Sequence, residues 1–159
     1  MLEIRIATPE DANVITDQRR DMFLDMGKHD PERIAVMSQQ FRPWVADRLA
    51  KGTYLGWLAV EGDHVVAGLG CLLLDWPPHF LDPRQGQRAY LLNLYVEPAH
   101  RRQGLAGRLI DVALAEAARR KIRVTALHAS DAGKPLYESK GFSLSNEMLF
   151  VAPDSPGQE

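Results

Sequence analysis

Leu91-Leu92-Asn93-Leu94-Tyr95-Val96-Glu97-Pro98-Ala99-His100-Arg101-Arg102-Gln103-Gly104-Leu105-Ala106-Gly107-Arg108 holds three elements in succession. A strand ends, a turn carries two consecutive arginines, and a helix begins on a glycine-rich first turn. The first amides of a helix have no internal acceptor and carry partial positive charge. With Gly104, Ala106 and Gly107 leaving that backbone uncovered, the stretch reads as a cradle for an anion, phosphate above all. Arg101, Arg102 and Arg108 add guanidinium donors beside it. A solvated basic turn whose glycines allow tight packing is the plainer alternative, and the stretch alone leaves both open.

Working outward, the apolar positions Leu105, Leu109, Ile110, Val112, Ala113 and Ala117 form a wide stripe that predicts a helix over Gly104 to Arg120. Upstream, Ala89 to Val96 reads as a strand interrupted by Asn93, and Tyr54 to Leu74 as a hairpin turning at Glu61-Gly62-Asp63. Asp75 to Arg88 is too rich in proline and charge for regular structure and is expected to be an extended connection. Thr8-Pro9-Glu10-Asp11 and Asp30-Pro31-Glu32 are helix starts, and Gly27 and Gly52 are the matching stops. The alternation in Leu2 to Ile6 predicts a first strand. Downstream, Val124 to Ala129 reads as strand, Pro135 to Lys140 as a short helix stopped by Gly141, and Phe142 to about Ala152 as a final pair of short strands. A single domain over 1–152 and a polar, fraying tail over 153–159 are the expectation.

Composition narrows the class. Of 159 residues, 45% are hydrophobic and 25% charged, ordinary globular values, and a formal net charge of -2 gives no general attraction to nucleic acid or an anionic membrane. Any anion site must be local. The single cysteine, Cys71, sits among Leu69, Leu72 and Leu73 and reads as core. His29, His64, His79, His100 and His128 are scattered without metal-ligand spacing, so no metal is expected. The chain start lacks a basic stretch followed by an apolar run, and a cytoplasmic protein is the plain reading. Two other phosphate motifs fail: Gly68-Leu69-Gly70 lies inside an apolar strand, and a P-loop ending at Gly133-Lys134 would need glycine in place of His128.

A second stretch, Ala129-Ser130-Asp131-Ala132-Gly133-Lys134-Pro135-Leu136-Tyr137-Glu138-Ser139-Lys140-Gly141-Phe142, completes a pattern with the first. Together the two resemble the donor-binding motifs of the GNAT superfamily of N-acetyltransferases. Arg101-Arg102-Gln103-Gly104-Leu105-Ala106 is similar to that family's Arg/Gln-x-x-Gly-x-Gly/Ala, and Leu136-Tyr137-Glu138 with Gly141-Phe142 to its late signature. Order and separation agree over about Tyr54 to Ala152.

The resemblance implies a GNAT fold of the α/β (α+β) type. That means a mixed, mostly antiparallel sheet of six or seven strands flanked by helices, with a V-shaped splay between the fourth and fifth. It implies acetyl-CoA as donor and a primary amine, on a small molecule or peptide, as acceptor, attacking the thioester directly without a covalent enzyme intermediate. Leu94, Tyr95 and Val96 would receive the pantetheine arm, and Arg101, Arg102, Gln103, Gly104, Leu105, Ala106, Gly107 and Arg108 the pyrophosphate. The Leu94 amide would polarise the thioester carbonyl, and Tyr137 would return a proton to the sulfur. Ser130 and Lys134 fall in the late donor motif, with Ser130 where many members carry asparagine.

No base for the amine stands out, because Glu97 beside Pro98 reads as a turn residue and Asp21, Asp25 and Glu147 have no stronger claim. A non-catalytic acyl-CoA sensor on the same fold is therefore the competing expectation. Met22, Phe23, Met26, Trp44 and the 76–88 connection are expected to wall the acceptor pocket. A homodimer is compatible with the family, but no residues mark an interface.

Overall fold

The computed structural model describes residues 1–155. After β1 (Leu2–Ile6), a 3-10 turn at Pro9–Asp11 leads into α1 (Ala12–Asp25). Thr8 and Asp11 close a capping box, and Arg5 clamps the Asp11 carboxylate at 2.8 Å through two nitrogens. In α2 (Pro31–Lys51) Asp30 accepts from the Arg33 amide at 3.0 Å, and Gly52 ends the helix at φ 73. The hairpin of β2 (Tyr54–Glu61) and β3 (His64–Asp75) leads to β4 (Gln87–Val96), α3 (Leu105–Arg119), β5 (Thr125–Leu127) and α4 (Lys134–Ser139).

The strands lie in the order β1-β2-β3-β4-β5, antiparallel except for the parallel β4–β5 pair. Helices cover both faces. On one, Leu105, Leu109, Ile110, Ala113 and Ala117 of α3 are buried against Trp57, Ala59, Leu69, Cys71 and Leu91. On the other, Phe41 and Val45 of α2 and Ile15 of α1 are buried against Tyr54, Leu58 and Val60. Leu109 and Ile110 are fully enclosed, each contributing about 1.5–3 kcal/mol of transfer free energy.

Two expectations are corrected. The sheet has five strands among the described residues, not six or seven, because Phe142 to Ala152 runs without strand pairing. A further ladder would have to grow on β5, which spans three residues. Leu144, Met148, Leu149, Phe150 and Val151 are consequently exposed.

The connection after β3 is folded rather than extended. Trp76 N–H donates to the Gly86 carbonyl at 3.0 Å, His79 and Asp82 form an antiparallel bridge, and Arg88 stacks over Trp76 at 4.2 Å. Asp82 accepts from the Arg123 amide, and Gln85 reaches the Arg120 and Lys121 carbonyls. These bonds fasten the connection to the C-terminal end of α3, opposite the end where the basic turn lies. Of the expected tail, residues 156–159 lie outside the described residues.

Candidate active site

β4 changes register in its middle. Gly70 of β3 pairs with Leu92 and Gly68 with Tyr95, so Leu69 faces both Asn93 and Leu94. This is a β-bulge, one extra residue that bends the strand and re-aims side chains. Asn93 takes a left-handed φ of 58, a conformation asparagine tolerates better than most residues. Leu92 and Asn93 thereby both face the α1/α2 layer, while Leu94 and Val96 pack on the α3 side.

Beyond the bulge the sheet opens. β4 and β5 pair only at Ala89–Thr125, Tyr90–Ala126 and Leu91–Leu127. From Leu92 to Val96 the β4 edge has no β5 partner, which leaves a slot whose apex is the Leu91–Leu127 pair.

A polar group braces the bulge from behind. The Tyr54 ring is 2% exposed, and its hydroxyl receives the Asn93 side-chain N–H at 3.0 Å. Burial lifts the Tyr54 phenol to about 12, partly opposed by that bond and by Arg19. Arg19 Nη1 donates to Asn93 Oδ1 at 2.6 Å, and its guanidinium carbon lies 5.1 Å and 4.9 Å from the Phe23 and Phe41 ring centres.

Glycine makes this possible: a Cβ on Gly70 would fall 2.0 Å from the Tyr54 hydroxyl, and one on Gly68 2.4 Å from Gln18 Oε1. The Gly68-Leu69-Gly70 run is thus a packing device. Arg19, Tyr54 and the Asn93 bonds escaped the sequence reading; the interruption of an apolar strand by Asn93 was their one visible trace.

At the open end, the turn before α3 places the predicted anion-binding residues. Arg102 and Gly104 adopt φ 60 and 80, and the Arg108 amide makes the first helical bond to the Gly104 carbonyl at 3.1 Å. The Leu105, Ala106 and Gly107 amides precede that bond and so lack an intrahelical acceptor. Arg102 and Arg108 are exposed and form no salt bridge among the described residues.

Arg101 is differently employed. Its Nε donates to the Val96 carbonyl at 2.8 Å, its Nη2 to Asp25 at 2.5 Å, and it lies over the Tyr95 ring. Gln103 donates to the Ala99 carbonyl at 3.4 Å. Leu105 is buried, and Gly107 lets Lys140 and Leu136 approach, with Lys140 paired to Asp111 at 2.8 Å.

Across the slot, Ser130 Oγ accepts from the Gly133 amide at 3.2 Å, within the turn that leads into α4. Lys134 is half-buried in the first turn of that helix. Tyr137 packs against the α3-side core and edge-on to Phe142 at 5.9 Å. Burial raises its phenol above the ordinary tyrosine value, so the proton is retained at neutral pH.

Three of the four candidate acids have partners, while the Glu147 carboxylate forms no hydrogen bond or salt bridge among the described residues. Glu97 meets His64 Nε2 at 2.9 Å, Asp21 receives Arg20 at 2.9 Å, and Asp25 is held by Arg101. On the α1/α2 face near the apex, Tyr90 is hydrogen-bonded to His128 Nδ1, a pair the sequence reading did not single out. A cavity of about 570 Å³ lies between α1 and α2, lined by Asp17, Arg20, His29 and Gln39 among others. None of its lining residues belongs to β4, β5 or the α3 turn, so it is separate from the slot. Among the described residues no cluster of three or more metal-ligating side chains occurs, and no helix is long and apolar enough to cross a membrane.

Residues 14–142 match the Acetyltransferase (GNAT) family. The chain belongs to that family. A GCN5-related N-acetyltransferase from Ralstonia eutropha JMP134 is 39% identical, with a TM-score of 0.91, over 96% of this chain and 99% of that one. A predicted acetyltransferase from Clostridium acetobutylicum, solved with acetyl-CoA, is 26% identical, with a TM-score of 0.87 and 96% of each chain covered. An aminoglycoside acetyltransferase from an uncultured soil sample shares the fold at 23% identity and a TM-score of 0.67. No curated protein matches at a comparable level of significance. As a GNAT acetyltransferase, the chain carries the helix start of α3 at the first motif and α4 at the second, with the parted β4–β5 edge leading into the first.

Proposed function

We propose that the protein transfers an acetyl group from acetyl-CoA to a primary amine, with residues 1–152 acting as one catalytic unit. The observation that carries this is the unpaired Leu92–Val96 edge leading directly into the α3 turn. An amide-bearing pantetheine arm adds to such an edge as a strand would, and its diphosphate then meets the Leu105, Ala106 and Gly107 amides. Arg102 and Arg108 supply charge there. Arg101 shapes the turn by holding the Val96 carbonyl and Asp25 rather than facing the anion, and Gln103 steadies the turn through Ala99. Tyr95, Ser130 and Lys134 border the slot.

In this reading the Leu94 amide, beside the bulge, stabilises the oxyanion that forms as the amine attacks the thioester carbonyl, and the register shift there supports the assignment. Collapse of that intermediate breaks the carbon–sulfur bond, and the protonated Tyr137 phenol delivers its proton to the leaving thiolate. On the face from which an amine approaches, the His128 tautomer whose Nδ1–H donates to the Tyr90 oxygen leaves the Nε2 lone pair to take the proton the amine sheds.

Tyr137→Phe tests the reading. The expected result is a fall in kcat of about 10²-fold, in the range of one positioned general acid, with acetyl-CoA affinity within twofold of the parent. An acyl-CoA sensor would show no acetyl transfer from the parent protein across a broad amine panel, with acetyl-CoA still bound.

A further inference from the structure

Arg19 is a cation without an anion. Among the described residues it forms no salt bridge, and its Nε is buried with no hydrogen-bond partner. Nη1 is spent on Asn93, a neutral amide, and Nη2 makes no hydrogen bond among the described residues.

The carboxylates nearest in sequence are already occupied. Asp17 and Asp21 receive Arg20 at 3.2 and 2.9 Å, and Asp25 receives Arg101. Burial pulls the Arg19 pKa down from the ordinary arginine value. The influence acting the other way is the Tyr54 phenol, and no carboxylate contributes. Structural arginines taken from water are ordinarily paired, because an unpaired buried charge is costly. Phe23 and Phe41 hold the guanidinium by their ring faces, an attraction that fixes its plane but leaves its N–H edge unsatisfied. That edge lies at Asn93, one residue before the amide assigned to the oxyanion, and on the α1/α2 face of the sheet.

We propose that Arg19 is the anchor for a carboxylate on the acceptor, so that the amine acetylated belongs to an amino acid or a similarly small amino-carboxylate. A planar guanidinium fork matches a carboxylate through two parallel hydrogen bonds. Held there, the carboxylate sets the amine at the bulge, a short reach from the thioester. Arg19 thus selects the acceptor, and through Asn93 it also senses the geometry of the strand that binds the donor. The inference rests on the acyl-transfer reading above for its reacting amine, but the anion site stands or falls by binding.

The test compares each free amino acid with its primary amide, which keeps the amine and removes the charge. Binding to coenzyme A-saturated protein is measured by calorimetry, and initial rates with acetyl-CoA are measured separately. At least one free amino acid is expected to bind ten times more tightly than its amide. Arg19→Gln should reduce that ratio below twofold, and Arg19→Lys should retain part of it. Acids binding no better than amides in the parent protein would overturn the proposal, as would a ratio unchanged in Arg19→Gln. Should Arg19→Gln fail to fold, the parent acid-to-amide ratio decides. Acid-selective binding without turnover would sink the acyl-transfer reading and leave the anion site intact. Acids and amides bound equally and turned over equally fast would do the reverse.

Discussion

Gly70→Ala is the most searching perturbation of the bulge, because it adds one methyl group where no atom can yield. The new Cβ would lie 2.0 Å from the Tyr54 hydroxyl oxygen and 2.3 Å from the ring carbon bearing it. Tyr54 is 2% exposed, edge-on to Trp44 at 6.3 Å and bonded to Asn93, so its ring cannot swing into solvent without emptying the α2-side core. Overpacking of this kind costs about 1–3 kcal/mol. Displacing the phenol also leaves the buried Asn93 amide with an unmet donor, for about 1–3 kcal/mol more. The sum is about 2–6 kcal/mol, or roughly 5–20 °C in Tm for a domain of this size.

Urea unfolding of the variant and the parent, with m values compared, reads the stability. Acetyl transfer at a temperature where both are folded reads the bulge, and a fall of at least tenfold is expected. Gly68→Ala is the internal control: its Cβ meets the ends of the Gln18 and Leu58 side chains, at 2.4 and 3.0 Å, rather than a ring held by a hydrogen bond, so it should cost less than Gly70→Ala. A Gly70→Ala protein within 0.5 kcal/mol of the parent, or one destabilised but fully active, would refute the claim that Tyr54 braces the catalytic strand.

Arg102 occupies a left-handed φ of 60 in the turn before α3, proposed to hold the diphosphate. Arg102→Gly should therefore raise stability by about 1 kcal/mol in thermal melts while weakening acetyl-CoA binding, a pair of opposite effects that a merely structural arginine would not produce. Tyr54 gives a pH signature. Its folded pKa of about 12 exceeds the unfolded value near 10, so its contribution is complete below about pH 10 and is lost as pH climbs toward 12. Alkaline unfolding curves should steepen over that window, by an amount on the order of 1.4 kcal/mol per pH unit, and Tyr54→Phe should flatten them. Glu116 acts at the other extreme. The Arg119 hydrogen bond foremost, and Arg120 after it, hold its carboxyl at about 2, so its contribution is present above the usual carboxylate range and lost as pH falls toward 2. Glu116→Gln should blunt acid denaturation there.

The element order as far as α4, the helix limits at Gly27, Gly52 and Gly141, the hairpin at Gly62 and the two donor motifs were all legible in the residues. Each depends on local chemistry: caps, turns, period, and a helix start stripped of side chains. Other features came only from the tertiary structure, because they depend on which strands meet and where they part. The chain does not announce that β5 pairs for three residues and then leaves β4, nor that Phe142 onward finds no partner edge.

The surroundings of Arg101 were hidden for a related reason. Its motif position points at the donor, while Asp25, remote in sequence on α1, draws the side chain away. Long-range pairing likewise set Gly70 against Tyr54, Tyr54 against Asn93 and Arg19 beside them. Sequence alone therefore named the residues of the proposed donor side, which is built from contiguous backbone. The proposed acceptor side draws on α1, β2, β3 and β4, and only folding brings those residues within reach of one another.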